Sequence, residues 1–156
     1  MQTVNIEEKL QSMGLTLPTI PPSKGIYKSC LTTGNFLFVS GHVSLTTEGK
    51  FITGKVGSTI SEEDGIAAAR QCGLAILTSI KAHLGDLNKI KRVIKILGMV
   101  NCGPDFEKHA IIINGCSELF VQLLGKENGK GVCSAVGMGS LPGNVAVEVE
   151  AMFEIF

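Results

Sequence analysis

Three carboxylates stand close together near the end of the chain: Glu148, Glu150 and Glu154, within SLPGNVAVEVEAMFEIF from Ser140 to Phe156. After a Leu-Pro-Gly-Asn turn, Val145, Val147, Val149, Ala151, Phe153 and Ile155 alternate with Ala146, Glu148, Glu150, Met152 and Glu154. A period of two over this length describes a β-strand with one packed face. A solvated sheet face accounts for the carboxylates on its own. Where such a face meets another subunit, a carboxylate becomes an acceptor that can hold a polar ligand or a water.

Other side chains with chemical potential are dispersed. His42, His83 and His109 lack zinc-ligand spacing, so no metal is expected. His83 falls near a helix end, where a cation suits the dipole, and His109 in a first helical turn at the surface. His42 follows Ser40-Gly41 at a strand end. It has the chemistry of a general acid or base but no partner identifiable from sequence. No nucleophile elbow and no Cys/His pair emerges. GKENGKG, Gly125 to Gly131, imitates a phosphate loop. Its glycines are too close, no Ser or Thr follows Lys130, and it comes after a helix, so a nucleotide site is not expected. Tyr27, the lone tyrosine, reads by pattern as an amphipathic packing residue. Asn114 interrupts an apolar run and reads as solvent-facing.

The elements that position these residues follow in order. Val4 to Met13 forms a short amphipathic helix, and residues 1–14 are an N-terminal helical extension. A proline-rich passage, LPTIPPSKG, is extended or turned. IYKSCLT and FLFVSGHVSL flank Thr33-Gly34-Asn35 as a hairpin, and Lys50 to Lys55 adds a short strand or loop. Ser61 caps a helix that opens on Glu62-Glu63-Asp64 and stops near Leu84, before Gly85. Ile90 to Val100 is a strand, Phe106 to Leu124 a second long helix, GKENGKG a loop, and Gly131 to Met138 a strand. The order ββ(β)αβαββ predicts an α+β sandwich, with two helices on one face of a mostly antiparallel sheet. Glycines and valines on the other face predict burial by oligomerisation.

Composition narrows the function. The 156 residues fit one domain, 1–156, with enough chain for a real core. Net charge is zero and Trp is absent, so nucleic-acid binding is not favoured. The cluster Lys89, Lys91, Arg92 and Lys95 reads as a solvated strand edge. Five cysteines (Cys30, Cys72, Cys102, Cys116 and Cys133) without a CxxC pair suggest a reducing compartment. Cys72 and Cys116 read as core residues. The opening MQTVNIEEKL is acidic and lacks an apolar stretch, and no apolar run reaches the length of a membrane span. Cytoplasmic location without a membrane partner is expected.

From about Leu15 onward the chain resembles the RidA/YjgF family, also called endoribonuclease L-PSP, in its longer YjgF-like subgroup. The resemblance rests on FVSGH, on Asn114-Gly-Cys-Ser-Glu-Leu-Phe, and on SAVGMGSLPGNVAVEVEA, the last being the most specific. It implies a chorismate-mutase-like fold and a homotrimer with three small-molecule clefts between subunits. It also implies hydrolysis of enamines or imines to 2-keto acids and ammonia, without metal or cofactor. By motif, Tyr27 matches the cleft tyrosine of a Gly-x-Tyr segment, Ser40 and Gly41 the Ser-Gly of the strand end, and Asn114 the helix asparagine. Glu148 matches the first glutamate of Glu-x-Glu, which orients or deprotonates the attacking water. Cys133 stands where the family's imine hydrolases carry the arginine that grips a substrate carboxylate, and His42 where glutamine is common. A neutral thiol lacks that paired grip. The resemblance therefore carries a catalytic reading and a non-catalytic one, a metabolite-binding protein of the same fold. RNA cleavage, suggested by the older family label, is least favoured by the neutral charge and single tyrosine.

Overall fold

A computed structural model describes residues 5–156. Helix α1 spans Ile6–Ser12, strands β1 and β2 span Cys30–Thr33 and Phe36–Val43, and helix α2 spans Glu62–Leu84. Strand β3 covers Ile90–Asn101, helix α3 His109–Gly129, and strands β4 and β5 Val132–Met138 and Val147–Ile155. The expected order holds, although Val4 lies outside the described residues. The five strands form one sheet in the order β1-β2-β5-β3-β4. Three pairings are antiparallel, and β3 with β4 is parallel.

Local chemistry accounts for the helix ends. Asn5 Oδ1 accepts from the Glu7 and Glu8 amides at 3.0 and 3.2 Å, opening α1. The Ser61 hydroxyl accepts from the Asp64 amide at 3.0 Å, opening α2. Gly85 ends α2 at φ +80°, a left-handed conformation that costs glycine little.

The alternation in β5 is observed as read. Val147, Val149, Ala151, Phe153 and Ile155 are buried under the helices, while Glu148, Glu150, Met152 and Glu154 take the open face. In α2 the apolar stripe widens. Residues 72–77 are buried without interruption, because Leu15 and Leu17 of the N-terminal passage also pack on the core, and the Thr78 hydroxyl donates to the Pro18 carbonyl at 3.1 Å.

Three expectations need correction. The basic cluster does not lie at a sheet edge: β3 sits between β5 and β4, and the edges are β1 and β4. The chain returns through α3 and lays β4 parallel outside β3, a connection that residue charge does not reveal. Lys91 and Arg92 both pair with Glu154, at 2.7 and 2.9 Å, on the open face. The second long helix begins at His109, three residues later than read, and GKENGKG is not simply a loop. Its first residues continue α3 to Gly129, with a break at Gly125, where φ is +82°.

Helices α2 and α3 approach closely where side chains are small. A methyl at Gly115 would run into the Ile66 carbonyl, and one at Gly73 would meet Leu119 and Cys116. Gly98 of β3 likewise leaves the space that Ile113 fills. Overpacking at such a contact is destabilising, because backbone cannot rotate aside. Gly115→Ala should therefore lower stability by about 3 kcal/mol in urea denaturation. Gly103→Ala, where an added methyl meets nothing within 4 Å, should stay within about 0.5 kcal/mol of the parent.

Candidate functional site

The carboxylate of Glu148 leaves β5 on the open face, opposite Met99 of β3 and Val43 of β2. It lies against the Cα of Gly41: a methyl there would occupy the position of Glu148 Oε1. Glycine is required here for space, since its φ is not positive. Burial pushes the Glu148 carboxyl above its ordinary value of 4.5, and the neighbouring charge of Glu150 pushes it the same way. Among the described residues, no cation lies within ion-pair distance of it.

Ser40 precedes Gly41 at an irregularity in β2. Its amide donates to the Ser29 carbonyl at 2.9 Å and its hydroxyl to the Lys28 carbonyl at 2.6 Å, tying it to the approach to β1. Beside it on the open face is a cavity of about 680 Å³ lined by Tyr27, Lys28, Phe38, Ser40, Lys95 and Glu150, among others. Tyr27 is 59% exposed, more than a packing residue would be. Glu148 itself lies one step along the strand from this cavity. Glu150 reaches into it.

Asn114 and Cys133 belong to the other layer. Asn114 is exposed on α3. Cys133 pairs with Ile96, a buried residue of the helix-facing row, so its side chain lies on the helix side of edge strand β4. There it is near enough to Cys116 to raise that thiol's pKa further. Burial raises the Cys133 thiol above its ordinary value, which leaves it neutral at pH 7. The structure thus unites Tyr27, Ser40, Gly41 and Glu148 on one side of the sheet and leaves Asn114 and Cys133 on the other.

Sequence reasoning missed several features. Lys95 and Glu150 line the cavity through sheet register alone. His42 is buried, with Nδ1 2.6 Å from the Ser40 carbonyl and Nε2 2.7 Å from the Ser79 hydroxyl, and Ser79 carries no motif. A Cys/His pair does form, against expectation. Cys102 Sγ and His109 Nε2 are 3.6 Å apart, converging where Gly137 has no side chain. The Phe106 ring meets His109 edge-on. Burial holds the Cys102 thiol above its ordinary value despite the nearby Lys55, so it is not an activated thiolate. Among the described residues, no three His, Cys, Asp or Glu side chains converge as metal ligands. None of the described helices is long and apolar enough to cross a membrane.

An acid whose folded pKa is raised leaves the fold at full strength below the ordinary value of 4.5 and weakens it progressively as the pH rises through the folded value. Charged Glu148 therefore weakens the fold at neutral pH. Glu148→Gln should raise Tm by about 2 °C at pH 7.5, and the gain should vanish at about pH 4, in thermal melts across that range.

The sequence model of the family described as "YjgF/chorismate mutase-like, putative endoribonuclease" matches residues 7–147. Protein TCP17 of Trypanosoma cruzi is 36% identical over 150 residues, covering 96% of this chain and 94% of that protein. The crystal structure of Atu1372 from Agrobacterium tumefaciens, a protein of unknown function, superposes with a TM-score of 0.87 at 39% identity, covering 97% of this chain and 93% of that one. RidA from the Antarctic bacterium Psychrobacter superposes with a TM-score of 0.58 at 24% identity, over 87% and 94% of the two chains, and shares the fold. On the matched span, the fold and these relatives together, the chain belongs to the RidA/YjgF, chorismate-mutase-like family.

Proposed function

We propose that the protein is a homotrimer whose intersubunit clefts bind a small carboxylate-bearing metabolite and hydrolyse its enamine or imine to a keto acid and ammonia. The carrying observation is the division of the candidate residues between the two faces of the sheet. A ligand cannot reach Glu148 on the open face and Cys133 on the helix face of the same chain. A second copy that covers the open face with its own β4 edge supplies Asn114 and Cys133 from the other side. The open face has the apolar character such a partner needs: Leu31, Phe36, Phe38 and Val136 are 50, 45, 44 and 37% exposed.

In this reading the enamine tautomerises to the imine, and Glu148 takes a proton from water as the water oxygen bonds to the imine carbon. That proton passes to nitrogen to give a carbinolamine; Glu148 then takes the remaining hydroxyl proton and delivers it to nitrogen as the C–N bond breaks, so that ammonia leaves as the ketone forms. A carboxyl raised by burial suits both halves of that transfer, because its pKa moves toward the working pH. Ser40, Tyr27 and the Gly41 backbone hold the substrate's polar end. The cleft is expected to work without metal or cofactor, in the cytoplasm.

Cys133 favours a second reading, in which the same trimer binds its ligand without turnover. A neutral thiol cannot make the charge-assisted bonds that contribute roughly 1.5–3 kcal/mol each to holding a carboxylate.

Sedimentation should find three chain masses, and Phe38→Glu should release protomers; a wild type that sediments as a single chain would sink the cleft. Ammonia release from a 2-aminoacrylate-generating system should be slow and should rise about tenfold or more in Cys133→Arg. It should fall about a hundredfold in Glu148→Gln. Turnover should decline at acid pH with a midpoint above 4.5, since the base must be ionised. Background rates in Cys133→Arg, with a ligand retained in native mass spectrometry, would decide for binding alone.

A further inference from the structure

His42 is a buried titratable group that the proposed chemistry does not use, and its place in β2 is unusual. Val39 pairs with Ala151 and His42 with Val149, so two residues, Ser40 and Gly41, stand opposite Glu150 alone. This is a β-bulge. Without the extra residue, strict alternation would turn Gly41 toward the helices and His42 to the open face. With it, His42 turns inward and is only 7% exposed.

The imidazole closes the bulge like a clasp. A carbonyl oxygen can only accept, so the Nδ1 that lies 2.6 Å from the Ser40 carbonyl carries the proton. Nε2 is then the acceptor for the Ser79 hydroxyl of α2, at 2.7 Å. The neutral ring is satisfied at both nitrogens, in one tautomer. Burial lowers its pKa from 6.5 while the Ser40 bond opposes the shift. One bond spans the bulge and the other anchors it to the longest helix. Ser40 is held from the other side by Ser29 and Lys28, and Gly41 lies on the Glu148 carboxylate.

We propose that His42 is a positioning residue for Glu148. By joining the Ser40 carbonyl to Ser79, it fixes the bulge in the shape that presses Gly41 against the carboxylate and turns Ser40 toward the open face. The titratable groups on the elements packed against this clasp are Glu148 and Glu150 on β5, Cys30 on β1 opposite Val39, His83 on α2 one turn after Ser79, and Cys72 on α2, which feels the Glu148 charge; Lys28 approaches Ser40 through its backbone carbonyl. None of the cations or carboxylates among them forms an ion pair with His42. Its two polar contacts are neutral acceptor and hydroxyl, so the imidazole acts through geometry. It does not touch a ligand.

The proposal rests on Glu148 being the working carboxylate, but its test needs no substrate and so stands apart from whether the protein turns anything over. The Glu148 carboxyl is titrated by carbon NMR, and exchange of the Ser40 amide is followed relative to core amides of β5. His42→Leu keeps bulk but neither bond. It should move the Glu148 midpoint toward 4.5 by about half a pH unit, and speed Ser40 exchange about tenfold beyond any change in the core amides. His42→Gln, which retains a donor and an acceptor, should recover most of both. Should His42→Leu fail to fold, Ser79→Ala removes only the helix anchor and should still speed Ser40 exchange selectively, about threefold. A Glu148 midpoint that stays in place in folded His42→Leu, or Ser40 exchange in Ser79→Ala that changes only in step with the core, would overturn the proposal.

Discussion

Strand β5 can send its side chains in only two directions, and it pairs with β2 on one side and β3 on the other. Its apolar row is therefore committed to the helices, and the carboxylate row has no choice but the open face. Burying Val147, Val149, Ala151 and Phe153 removes hydrocarbon from water at roughly 25 cal/mol per Å², and no slip of register recovers that. The placement of Glu148 on the open face is thus enforced by the packing of its neighbours. The same constraint runs across the sheet, where Phe38, Met152 and Lys95 share one row and Leu37, Phe153 and Val93 the opposite one.

The helical layer is pressed onto this sheet through small residues. Gly73, Gly98 and Gly115 let Cys116, Ile113 and the Ile66 backbone approach to van der Waals distance. That closeness orients α3, so Asn114 is carried to the surface rather than into the core. A bulkier contact would lift α3 and move that surface with it. The architecture of the helix side and the chemistry offered at its rim are in this sense a single property.

Electrostatics separates the two candidate halves as well. On the open face, Glu154 is held below its ordinary pKa by Lys91 and Arg92, while Glu148, six residues earlier in the same row, is raised by burial. Two carboxylates of one strand thus differ in acidity because only one has cations beside it. On the helix face, the Cys133 and Cys102 thiols are both raised by burial. Neither thiol therefore offers a ligand a charge, only a weak hydrogen bond. A ligand held between the open face of one copy and the β4 edge of another would draw its strong polar contacts mainly from the Glu148 side.

Alternation in β5, the Ser61 cap, the Gly85 stop and the apolar spacing of both long helices were legible from residue order, because each depends on neighbours within a few positions. They sufficed for the element order, the layer arrangement and the row on which Glu148 stands. Three things were not legible. The parallel addition of β4 outside β3, the bulge that buries His42 against Ser79, and the meeting of Cys102 with His109 all join residues whose chain separation carries no signal. Sequence by itself determined which side chains share a face, since the strand and helix periods are local properties of the backbone. Only the tertiary structure decided which faces meet, because that depends on how strands from distant parts of the chain pair and on where glycine lets two surfaces touch.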